Sequence, residues 1–265
     1  MNMFIHEFKA YRKSTLIWTI SLIAIMGLFL SFFPSIARDA DEFNKLLDGY
    51  PEGVKKALGF TIESITSILG YYSYVFLYIS LCGAIQAMNI GTSILSKEVR
   101  SKTADFLLTK PVTRINIMTS KLLAALTQLV ITNIVYLLAA SILVSIVASE
   151  EFSYKTFFMV SITLFFLQLI FLALGVIVSV ILPKIRSVIP ISLGSVFTFF
   201  IISMIGSSQG EDAMRYITPF QYFNAPYIIK NSSYEISYMI VGTVFIILAI
   251  IASYIIYSKK DVHAV

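Results

Sequence analysis

Six basic residues crowd the stretch from Gly91 to Lys121, GTSILSKEVRSKTADFLLTKPVTRINIMTSK, which lies between two long apolar runs. Grouped cations of this kind can hold anionic lipid head groups or the carboxylates of a partner protein. The spacing predicts a helix from about Lys97 to Thr109, with Val99, Thr103, Phe106 and Leu107 on one face and Arg100, Lys102 and Asp105 on others. Pro111 ends it, because the residue before a proline resists the α region. An amphipathic helix at a span junction can lie on anionic lipid or dock on a partner, and its own pattern leaves both open.

Catalytic chemistry finds little support. The chain contains no G-x-x-x-x-G-K-[ST] phosphate cradle, no H-E-x-x-H and no G-x-S-x-G elbow. Its two histidines, His6 and His263, lie at the far ends. Glu150-Glu151 is the one carboxylate pair near a membrane boundary; an intramembrane enzyme built on it would need histidines in neighbouring spans, so a solvated loop end is the simpler reading. No cofactor, metal or nucleic-acid site is expected. The polar groups within apolar runs are Gln86, Asn89, Gln128, Asn133 and Gln168. Each could line a substrate path, and each could equally hydrogen-bond a neighbouring helix. The apolar runs hold no Asp, Glu, Lys, Arg or His, which argues against a stand-alone ion-coupled channel or carrier.

The elements that carry these residues follow from composition. Of 265 residues, 57% are hydrophobic and 13% charged, with mean hydropathy +0.84. Soluble domains carry about a quarter charged residues, so this chain is an all-α polytopic membrane protein. One transmembrane domain, 1–265, is expected, with spans at about 14–33, 67–95, 118–148, 156–182, 187–207 and 236–257. With the N-terminus inside, the inner segments hold thirteen basic and four acidic residues, net +9, and the outer segments seven and eleven, net −4. The positive-inside rule therefore puts both termini in the cytoplasm of a plasma-membrane protein. The lone Cys82 excludes an intramolecular disulfide. The first apolar run exceeds a signal-peptide core and reads as a retained span ending at Pro34.

Three smaller features complete the plan. Phe4, Ile5, Phe8 and Tyr11 share a face of residues 1–13, predicting a short interfacial helix, with a solvated tail as the alternative. Pro190 near the start of the fifth span predicts a kink. The aromatic-rich outer segment AMRYITPFQYFNAPYIIK, 213–230, predicts short re-entrant helices broken at Pro219 and Pro226 before span six, with a packed loop as the alternative.

The run Gly91, Glu98, Arg100, Thr103, Phe106, Leu107, Leu108, Pro111, Arg114, with Lys121 after it, resembles the inner loop of ABC transporter permeases of the type-2 exporter class, the ABC-2 family. The six-span plan resembles that family across the whole chain. The resemblance implies a non-enzymatic permease paired with a second permease protomer, identical or different, and served by separate ATPase subunits. It makes the 97–110 segment a cytoplasmic coupling helix. Glu98, Val99, Arg100, Lys102, Thr103, Phe106, Leu107, Pro111 and Arg114 would be its ATPase-coupling residues.

Overall fold

The computed structural model describes residues 3–39, 49–57, 67–100, 112–148, 151–182, 185–209 and 212–259. Six helices are long and apolar enough to cross a bilayer, and no strand occurs among the described residues. They are α1 (Met3–Arg38), α3 (Ile68–Arg100), α4 (Arg114–Val147), α5 (Tyr154–Ile181), α6 (Val188–Gln209) and α9 (Ile236–Lys259). Between them lie the short helices α2 (Glu52–Ala57), α7 (Asp212–Arg215) and α8 (Ala225–Asn231), and a 3-10 turn at Pro219–Gln221. The protein is a multi-pass membrane protein.

Helix α1 has 36 residues and α4 has 34. At about 1.5 Å per residue each is roughly 50 Å long, well beyond a hydrocarbon core of about 30 Å. The surplus of α1 is its charged N-terminal end, which runs unbroken into the first span rather than forming a separate helix. At its other end α1 passes through Pro34 to Arg38, further than the sequence predicts. Phe33 explains the continuation, since it is 3% exposed and its ring lies 5.3 Å from that of Tyr71. In α6, Pro190 falls in the first turn, where a helix has no acceptor for an N–H and a proline costs nothing.

Two helices form the centre. About 61% of the apolar window is buried in both α3 and α5, against 28% in α1, 22% in α4, 28% in α6 and 17% in α9. The outer four therefore turn apolar faces toward lipid or another protein. Helices α3 and α5 run parallel, and glycines set their distance. A Cβ on Gly91 would lie 2.5 Å from the Leu172 carbonyl oxygen, and one on Gly175 would lie 2.7 Å from that of Met88. Small residues permit this backbone contact where no hydrophobic effect draws helices together. Nearer the start of the pair, Tyr72 is fully buried and bonds Ser161 at 2.7 Å and Tyr136 of α4 at 3.2 Å.

Side-chain caps fix several starts. Thr113 Oγ1 accepts from Asn116 N at the head of α4, Ser153 Oγ from Thr156 N at α5, and Asn224 Oδ1 from Tyr227 N at α8. Both prolines of the 213–230 segment begin a helical turn, Pro219 opening the 3-10 turn and Pro226 lying in the first turn of α8. That segment folds in against the spans. Phe220 packs 5.2 Å from Phe171 and 5.4 Å from Phe200, and Phe223 lies 5.8 Å from Phe166. Burial raises the pKa of Tyr222 and Tyr234, which remain neutral donors to the carbonyls of Tyr216 and Met159.

Candidate functional site

The start of α1, the ends of α3 and α9 and the start of α4 meet at one end of the bundle, here the terminal face; the 213–230 segment marks the opposite, distal face. Lys121 sits two turns into α4 and is 1% exposed. Its ammonium donates to Glu7 Oε1 of α1 at 3.1 Å and to the Ile94 carbonyl of α3 at 2.9 Å. One cation thus joins three helices. Glu7 is 6% exposed and its second carboxylate oxygen has no hydrogen-bond partner, so Lys121 is its neutralising group. A carboxylate buried in this way without a counter-charge would cost several kcal/mol.

Tyr11 makes a second tie, one turn along α1. Its hydroxyl lies 3.1 Å from Ser93 Oγ, and Lys97 Nζ stands 5.1 Å from the centre of its ring. On α4, Gln128 Nε2 donates to the Phe8 carbonyl at 3.3 Å. The start of α1 is therefore not a free tail: it clasps the last turns of α3 that lead into the 97–110 segment. Across the same face, Arg114 Nη1 reaches the carbonyls of Tyr257 and Ser258, both at 3.4 Å, placing a cation at the end of α9.

Of the residues singled out for coupling, Glu98, Val99 and Arg100 belong to the final turn of α3. Lys102, Thr103, Phe106, Leu107 and Pro111 lie outside the described residues. Glu151 is exposed ahead of α5, and Glu150 lies outside the described residues.

Gln86, Gln128, Asn133 and Gln168 are hydrogen-bonded in the bundle interior, and Asn89 is not part of their network. Gln128 accepts from Thr15 Oγ1 of α1. One turn further, Thr19 and Thr132 lie 3.0 Å apart, and Gln86 Nε2 donates to Thr132 at 3.1 Å. Gln168 Nε2 donates to Gln86 Oε1 at 3.1 Å, and Asn133 Nδ2 donates to Gln168 Oε1 at 2.6 Å. Gln86 and Gln168 are fully buried, Gln128 is 1% exposed and Asn89 is half-buried. The hydrogen bonds run in sequence from α1 through α4 and α3 to α5.

Sequence reasoning passed over Glu7, Thr15, Thr19 and Thr132 as site residues and placed Tyr11 only on an interfacial face. One signal was available for the first: Glu7 is the sole acid of residues 1–13, beside Lys9, Arg12 and Lys13.

A family model described as ABC-2 family transporter protein matches residues 1–262. No curated protein matches the chain significantly.

Proposed function

The chain belongs to the ABC-2 family of transporter proteins, the membrane component of ABC transporters, and from that premise we propose that it is the permease subunit of an ATP-driven exporter. Two protomers form the substrate path in the plasma membrane, both termini are cytoplasmic, and separate ATPase subunits dock beneath them on residues 97–110. Val99, Phe106 and Leu107 fill a groove on the ATPase, while Glu98, Arg100 and Lys102 set orientation; Thr103 lies on the same face as the apolar three, and Pro111 and Arg114 end the segment and hold it to the bundle.

The observation that carries this reading is the clasp around the end of α3. A helix that passes force from an ATPase needs a rigid base, because only a rigid-body displacement transmits a motion undiminished. Lys121 and Tyr11 give the last turns of α3 such a base by tying them to α1 and α4. A basic helix that merely rested on lipid would have no need of it.

Co-purification of the cognate ATPase tests the proposal. An aromatic in a desolvated groove is often worth about 2 kcal/mol or more. Phe106→Ala should then weaken ATPase association roughly 30-fold, at about 1.4 kcal/mol per tenfold. Undiminished recovery of the ATPase, with loss only on removal of several basic residues, would assign the segment to lipid instead.

A further inference from the structure

Beneath the 213–230 segment, between α3, α5 and α6, lies a cavity of about 120 Å³ that none of the residues considered so far explains. It is somewhat smaller than the apolar cavity of about 150 Å³ that accepts benzene, and it is partly open, so it can take part of a ring-sized group. Its wall is mixed. Ser73, Ser80, Thr163, Ser203, Ser207 and Gln221 all line it, and none of its lining residues is charged. Phe76, Phe220 and Phe223 supply flat apolar surface beside them, and the exposed Pro226 stands at its rim.

The direction of the hydrogen bonds decides what the wall can recognise. Ser73 donates to the Gly70 carbonyl at 2.8 Å, Ser80 to Leu77 at 2.7 Å, Thr163 to Val160 at 2.6 Å and Ser207 to Ser203 at 2.9 Å. The Gln221 amide donates to the Ser203 hydroxyl at 2.9 Å and also to Ser207. These protons are committed within the protein, so the wall offers a guest chiefly oxygen lone pairs, with the Ser203 hydroxyl and the Asn224 amide, which also lines it, as its uncommitted donors. A hydroxyl suits such a wall, since it donates to the lone pairs and can accept from those two donors. A charged head of either sign would lose its hydration with no counter-charge in the wall. We propose that this cavity is a binding site for an uncharged, hydroxyl-bearing head group carried on an apolar body, with the head against the serine and threonine oxygens and the body along the phenylalanine faces.

The proposal takes the chain to be a permease, yet binding needs no ATPase: failure here leaves the docking reading intact, and loss of docking leaves this site intact. The test uses the full chain in phosphatidylcholine nanodiscs with three diazirine-bearing octyl probes. One carries a glucoside head, one a trimethylammonium and one a sulfonate. Cross-linked peptides are mapped by mass spectrometry. The glucoside probe should label residues 203–226 at least tenfold more than either charged probe, and unlabelled octyl glucoside should compete. Ser80→Phe, which fills the cavity, should abolish that labelling. Thr163→Val keeps shape and removes one acceptor, and it should lower labelling roughly threefold at an unchanged melting temperature; it decides the matter if Ser80→Phe does not fold. Equal labelling by the three heads, labelling confined to lipid-facing residues, or no response to Thr163→Val would overturn the site.

Discussion

Lys121 and Gly91 do different work at the same level, one by charge and one by lack of a side chain. Lys121 is 1% exposed and neutralises a carboxylate that is itself buried. Removing one partner of such a pair is expected to cost about 3–5 kcal/mol, because the other charge is left uncompensated, whereas replacing both by neutral groups of similar shape can be nearly free. Lys121→Met should therefore lower the melting temperature of the purified protein sharply, and Glu7→Gln added to it should restore most of the loss. A double mutant no more stable than Lys121→Met would show that the pair is not coupled. Gly91 answers to a different constraint. Gly91→Ala places a methyl 2.5 Å from a backbone oxygen of α5 and 3.0 Å from Gly175 Cα, neither of which can rotate away. Overpacking of this kind costs about 1–3 kcal/mol. The same substitution at Gly194, where a Cβ meets nothing within 4 Å, should be neutral in a thermal melt. Both Gly91 and Lys121 stand out in the sequence only through the resemblance of their segment to a family pattern. Their reasons could not be read there, since Glu7 is 114 positions from Lys121 and no periodicity reaches that far.

Elements were easier to read than residues, and their ends were harder to read than their middles. A charge inside a span costs about 2.5–3.5 kcal/mol on insertion scales, so the spans announce themselves as charge-free runs. Where a helix stops is decided by packing instead: Phe33 against Tyr71 carries α1 past Pro34, and Tyr11 with Glu7 carries it back to Met3 in one piece. The distal segment shows the same division. Its prolines and aromatics marked it as helical and membrane-seeking, while its insertion between α5 and α6 through Phe220 depends on partners far along the chain. The clasp at the start of α1 yields a prediction about the element it holds. Tyr11→Leu removes the hydroxyl on Ser93 and weakens the attraction to Lys97 while keeping apolar bulk. If those contacts hold the last turns of α3 by about 1.4 kcal/mol, amide exchange in residues 93–100 should quicken roughly tenfold in the variant. Unchanged exchange would remove α1 from the proposed account of how the 97–110 segment is based.

At the scale of the whole molecule, a buried central pair, α3 and α5, is ringed by four helices whose apolar faces remain open, and the Lys121–Glu7, Tyr11–Ser93 and Arg114 ties join helices at one end. The charge distribution supports the proposed orientation. Cysteines at Arg12 and Ser258, both exposed on the terminal face, should be shielded from impermeant reagents in intact cells, and one at Tyr50, 57% exposed, should react. Reaction at position 12 from outside would invert the topology and take the coupling segment away from any cytoplasmic ATPase. The most direct test of the central claim is photo-cross-linking in cells, with a photoreactive amino acid replacing Thr103 in one strain and Tyr216, on the distal face, in another. A cross-link from position 103 to an ATP-binding polypeptide, and none from position 216, is the predicted result. No such product from position 103, or one from position 216, would contradict the proposal that this permease is driven by a separate ATPase docked on residues 97–110.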